Sequence, residues 1–210
     1  MRKSLIGILA VTGLTLAACG GSDSASDTTA AAGGSGNECT TGKTLAEGTL
    51  TIGTGNPAFS PWVENDAPES GEGFEAAVAY AVATAMGFDN ANVAWVRTSF
   101  DEAVQPGAKN FDFNLQQYSI TEERKQTVSF SDPYYSTNQA IVGYADSAAV
   151  GATTVEALKE LKFGVQSGTT SLQFLLDNIA PTTEPYVYDD NAAAKAALEA
   201  KQIDAIVVDL

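Results

Sequence analysis

The residues best suited to chemistry lie between Asp112 and Tyr135, in the run DFNLQQYSITEERKQTVSFSDPYY. Phe113, Leu115 and Gln117 alternate with Asp112, Asn114 and Gln116, a period of two that predicts a strand. The period changes at Ser119-Ile120-Thr121. Thr121 can cap a short helix there, and Glu122 and Glu123 suit the positive end of its dipole. Arg124 follows one turn in. A strand ending in such a polar corner can hold a carboxylate, because helix-start N–H groups and a guanidinium fork converge on the same oxygens. The same arginine among Glu122, Glu123 and Lys125 also fits a solvated charge cluster, and composition alone favours that plainer reading. A second β-rich run, Val128 to Phe130, leads into Ser131-Asp132-Pro133-Tyr134-Tyr135.

The whole chain limits what this corner can do. It has 210 residues, 44% of them hydrophobic, enough for one large or two small globular domains. There is no histidine, so histidine triads, histidine metal sites and histidine acid–base catalysis are excluded. The formal charge is −15, which argues against nucleic acid or anionic lipid headgroups as electrostatic partners. Met1-Arg2-Lys3 and the apolar run Leu5 to Leu16 read as a leader too short to span a bilayer comfortably. It ends in Leu16-Ala17-Ala18-Cys19, which resembles a bacterial lipobox and implies a diacylglycerol on Cys19. Loss of Arg2 and Lys3 with the leader leaves nine basic residues against 26 acidic ones, or −17. Gly20 to Asn37 has no aromatic or large aliphatic residue and reads as a flexible tether. Cys39 is then an odd thiol in an oxidising compartment, with a missing partner, a free state or a second molecule as alternatives.

The elements that must position the corner alternate. Leu50 to Thr54 reads as a strand, followed by the loop Gly55-Asn56-Pro57-Ala58-Phe59-Ser60-Pro61-Trp62. Its two large aromatics fit hydrophobic anchors and a ligand platform equally well. Gly73-Phe74-Glu75 opens a helix with Phe74, Val78, Ala81, Val82 and Ala85 on its apolar face and Gly87 as its stop. Val93 to Val96 is a strand and Phe100 to Val104 a short helix. Further strands are expected at Gln139–Tyr144, Phe163–Gln166, Tyr186–Tyr188 and Asp204–Val208. Between them, capping boxes at Thr153–Glu156 and Thr170–Gln173 open helices, the first running through Leu161. The second has Leu172, Leu175, Leu176 and Ile179 inward. Asp190 caps a helix from Asn191 to Lys201. Alternation of this kind implies α/β architecture, with ligands at the C-terminal edges of parallel strands.

Ser119-Ile120-Thr121-Glu122-Glu123-Arg124, followed by Phe130-Ser131-Asp132-Pro133-Tyr134, resembles the signature of family 3 of the bacterial solute-binding proteins. The likeness runs from about Leu50 to Leu210. It implies a type II periplasmic-binding-protein fold, two lobes with mainly parallel sheets joined by a hinge. The expected divisions are a signal peptide at 1–19, a tether at 20–43, a first lobe at 44–138 and a second at 139–210. The family carries its chain back to finish the first lobe. The resemblance therefore also implies a second lobe and return segment incomplete at Leu210, with the continuation supplying a cysteine for Cys39.

The implied function is extracytoplasmic binding of a free amino acid for an ABC permease, by a lipid-anchored monomer without cofactor, metal or nucleic acid. Arg124 and the N–H groups of Ser119 and Thr170 would take the ligand carboxylate. Asp209, the Ser119 hydroxyl and the Gln117 carbonyl would take its ammonium group, and Phe59 would stack on it. Taken alone, Asp209 reads as a helix cap or a solvated strand end. Gln116 and Gln117 stand where the family has small residues, and Gly55 where relatives for basic amino acids carry an aspartate. That loss weakens the case for lysine or arginine. A cyclohexadienyl dehydratase on the same fold is the enzymatic alternative, with Glu75 as its conceivable acid. A sensor domain of the same fold is the third reading.

Overall fold

The structure, a computed structural model, describes residues 34–210. Cys19 and the leader lie outside the described residues. Strand β1 (Leu50–Gly55) is the centre of a three-stranded parallel sheet, flanked by β2 (Val93–Thr98) and β3 (Phe113–Asn114). Leu50 pairs with Val93 and Ile52 with both Trp95 and Phe113. Helix α1 (Phe74–Ala85) joins β1 to β2, and α2 (Phe100–Val104) leads from β2 towards β3. These are the expected parallel connections.

Three details of this half differ from the sequence reading. The buried face of α1 is Glu75, Ala76, Ala79 and Ala83, whereas Phe74 and Val82 are exposed. Ala79 and Ala83 pack on Leu50, Ile52, Phe88 and Leu115. Phe74 instead joins Trp62, Tyr134 and Tyr135 in an aromatic cluster. Strand β3 is only two residues long. One more ladder bond runs from the Leu115 N–H to the Gly53 carbonyl, and then Gln117, with φ +52°, turns the chain out of the sheet. Val128 to Phe130 is not a strand, because the Val128 N–H donates to the Arg124 carbonyl and extends the preceding turn.

The second sheet has the order β4-β7-β5-β6, with β4 (Gln139–Gly143) antiparallel to β7 (Ala205–Asp209). Strands β5 (Phe163–Gln166) and β6 (Tyr186–Tyr188) run parallel to each other, and β5 is parallel to β7. Phe163, Val165, Leu175, Ile179, Ala205 and Val207 form its core. Full burial of a side chain such as Phe163 stabilises the fold by roughly 1.5–3 kcal/mol.

Helix α3 (Val155–Lys159) is capped by Thr154 rather than Thr153, Thr154 Oγ1 accepting the Ala157 N–H at 3.2 Å, and it ends before Leu161. Helix α4 (Thr170–Phe174) is capped by Thr169 rather than Thr170: Thr169 Oγ1 accepts the Leu172 N–H at 3.1 Å. It runs on through a wider turn, Leu175–Ile179, with Leu175 and Ile179 buried and Leu176 exposed. Helix α5 (Asn191–Glu199) is capped by Asp190, whose Oδ1 accepts the Ala193 N–H at 2.7 Å.

Candidate functional site

The strands end around one cavity of about 370 Å³. Gly55 at the end of β1, Ser99 after β2 and Gln116 after β3 line it from the first sheet. Gln166 at the end of β5, Asp189 after β6 and Asp209 at the end of β7 line it from the second. Phe59, Gln117, Ser119, Arg124, Thr170 and Asp209 all lie in its wall. The volume falls within the range of small-molecule sites, about 300–1,000 Å³.

Arg124 is 9% exposed and sits in a single helical turn, Arg124–Gln126, started by Thr121, whose Oγ1 accepts the Arg124 N–H at 3.2 Å. Its Nη1 donates to the Ser119 carbonyl at 2.8 Å and its Nη2 to the Gly168 carbonyl at 2.9 Å. The guanidinium carbon lies 5.3 Å from the centre of the Phe100 ring and 5.5 Å from that of Tyr118. Among the described residues, no carboxylate forms an ion pair with it. Burial pulls its pKa down, and the charges of Tyr118, Glu123, Asp209 and Asp101 push it back up. A buried cation held by neutral carbonyls and aromatic faces still lacks a compensating anion.

The rest of the wall supplies both signs of hydrogen-bonding group. The N–H groups of Ser119 and Thr170 have no protein acceptor among the described residues, and the Gln117 carbonyl has no protein donor there. Thr170 opens α4, so its N–H lies at the positive end of that helix. The hydroxyls of Ser119 and Thr170 are 3.1 Å apart and join the two sheets. Asp209 Oδ1 accepts Gln139 Nε2 at 2.5 Å, which holds the carboxylate beside β4. Gly55 leaves no room for a side chain: a Cβ there would lie 2.8 Å from the Pro57 carbonyl oxygen and 3.2 Å from Gln116 Nε2. The Gln116 amide occupies that corner.

A larger cavity, about 740 Å³, lies between Phe113 and Leu115 and the segment Ser129 to Thr137. It shares Gln117, Ser119 and Asp209 but lacks Phe59, Arg124 and Thr170. The smaller cavity is the candidate site, because the guanidinium, the free N–H groups and the carboxylate meet there. Sequence reasoning missed Phe100 and Tyr118 on the guanidinium, and it singled out Glu75 only as a conceivable catalytic acid. That carboxylate is 1% exposed and borders the larger cavity rather than the smaller one. Among the described residues, no cluster of acidic or cysteine ligands could hold a metal ion.

Residues 50–207 match the sequence profile of the bacterial extracellular solute-binding proteins, family 3. The chain is 30% identical over 216 residues to a Campylobacter jejuni subsp. jejuni protein named for binding histidine, which covers 100% of this chain and 74% of that one. It is 27% identical over 162 residues to the lysine/arginine/ornithine-binding periplasmic protein of Escherichia coli, covering 72% of this chain. The chain spans 60% of that relative's length. Among solved structures, an ancestral amino acid-binding protein described as a precursor of cyclohexadienyl dehydratase is 32% identical, with a TM-score of 0.61. That match covers 77% of this chain and 70% of the other, and the fold is that of these binding proteins.

Proposed function

The chain belongs to family 3 of the bacterial extracellular solute-binding proteins, and from that premise we propose that it binds a free amino acid outside the cytoplasm and delivers it to an ABC permease. The observation that carries this reading is Arg124, a buried guanidinium without an acidic partner among the described residues, in the same cavity wall as Asp209. An α-amino acid offers the complement, a carboxylate and an ammonium group a few ångströms apart. The carboxylate goes to Arg124 and to the N–H groups of Ser119 and Thr170. The ammonium group goes to Asp209, the Ser119 hydroxyl and the Gln117 carbonyl, with Phe59 against the ligand.

Arg124 and Thr170 belong to segments joined to different sheets, so ligand binding draws lobes 44–138 and 139–210 together. The protein acts as a monomer, tethered through residues 20–43 to a diacylglycerol on Cys19. Lobes, site residues and anchor are all parts of the proposal. Glu75 does not support a dehydratase: both its oxygens already accept hydrogen bonds, and it lies outside the lining of the 370 Å³ cavity.

Thermal-shift measurement of the full chain against each of the twenty amino acids tests the function. A ligand that binds only the folded state raises Tm by mass action. The expected result is a saturable rise with one amino acid or a small group of them. No rise with any of the twenty contradicts it.

A further inference from the structure

Glu75 has no part in the clamp described above, yet its contacts lead directly to the cavity wall. Its Oε1 accepts the backbone N–H of Gln117 at 2.8 Å and the Tyr134 hydroxyl at 2.5 Å, and its Oε2 accepts Gln117 Nε2. Two of the three donors therefore come from one residue, from its main chain and from its side chain. That residue is in an unusual state. Gln117 has φ +52°, in the left-handed region that residues with a Cβ seldom adopt without a local partner. Its carbonyl has no protein donor among the described residues, and it lines the cavity.

We propose that Glu75 is a positioning residue for ligand binding: its carboxylate holds Gln117 in the left-handed conformation that offers the Gln117 carbonyl to the ligand's ammonium group. This rests on the amino-acid reading and deepens it. The chemistry of the three donors selects a carboxylate. Both oxygens must accept, and a carboxamide at position 75 would set an N–H₂ group against a donor. Burial makes the fit matter, because an unmatched polar group has no water to turn to. Tyr134 attaches the same carboxylate to the segment that runs from the first sheet to the second, so one side chain holds both the wall and the crossing.

A double-mutant cycle on the full chain separates positioning from simple support of the fold. The probe is whichever of the twenty amino acids raises Tm most, carried to calorimetry. Glu75→Gln is expected to weaken it about tenfold or more, one buried donor being left unmatched. Gln117→Gly keeps the carbonyl and takes φ +52° unaided. In that background, adding Glu75→Gln is expected to cost less than about threefold. Equal losses in both backgrounds, or no loss in either, overturn the proposal while leaving amino-acid binding in place. Where Glu75→Gln does not fold, Glu75→Asp keeps the charge with a shorter reach. It is expected to show a smaller loss that Gln117→Gly again removes, and an equal loss in both backgrounds overturns the proposal. If no amino acid binds the unsubstituted protein, the function itself fails and this inference with it.

Discussion

A carboxylate that accepts three hydrogen bonds out of reach of water titrates differently from one at the surface. Burial raises the Glu75 pKa above its ordinary 4.5, and hydrogen bonds from Tyr134 and Gln117 oppose the rise. The titratable groups beside it are Tyr118 and Tyr134, both pushed up by burial and so neutral wherever Glu75 titrates. The folded state thus takes up a proton more readily than the unfolded one. Glu75 contributes stability that is fully present below about 4.5 and lost as pH rises through the folded pKa. Ligand affinity is expected to run the other way, falling with pH as the protonated acid loses an acceptor for Gln117. Calorimetry across the mildly acidic range should show this opposition in the unsubstituted protein and a flat affinity in Glu75→Gln. Little of it is legible in the sequence, where Glu75 is an ordinary first-turn acid and its partners stand 42 and 59 positions away. Arg124 was legible through the resemblance of Ser119 to Arg124 to the family signature, since the local charge pattern alone favours a solvated cluster. Phe100 and Tyr118 were not, because stacking on a guanidinium leaves no trace in spacing.

Short elements set the positions of these groups, and the turn from β5 into α4 has the least latitude. Gly168 has φ +67°, its carbonyl accepts Arg124 Nη2, and a Cβ there would lie 2.2 Å from Asp101 Oδ1. Gly168→Ala is therefore expected to strain the turn and push Asp101 aside. The cost should be about 1–2 kcal/mol of stability, with a matching loss of ligand affinity. Unfolding in urea and calorimetry check both. An affinity at the unsubstituted level would mean that the turn does not position Arg124. The strands of both sheets followed from the hydrophobic runs, because Leu50, Ile52, Phe163 and Val165 are buried wherever the chain folds. Among the features that did not follow, two have a plain physical cause. The alanine face of α1 carries a weak apolar signal, although Ala79 and Ala83 pack in one core with Leu50 and Ile52 of β1. The end of β3 depends on the backbone of Gln117, which hydrophobic alternation cannot report.

At the scale of the whole molecule, the two sheets turn the C-terminal ends of their parallel strands towards one cavity, where the proposed ligand would meet both. The alternation of strands and helices along the chain predicts this plan. Among the described residues, Arg124 is the only basic one in the cavity lining. If Cys19 carries lipid, the full protein should enter the detergent phase on phase separation, and Cys19→Ser should move it to the aqueous phase. An unsubstituted protein wholly in the aqueous phase contradicts the anchor. The zwitterion clamp is tested most directly by calorimetry on Arg124→Ala, with the amino acid found by thermal shift and with that amino acid's carboxamide. Removing the guanidinium leaves a desolvated carboxylate unpaired, at a cost of about 2–5 kcal/mol, or roughly thirty-fold to several thousand-fold in affinity. The account predicts a loss of that size for the amino acid and a much smaller one for the amide. Equal effects on the two ligands, or an unchanged affinity for the amino acid, would contradict it.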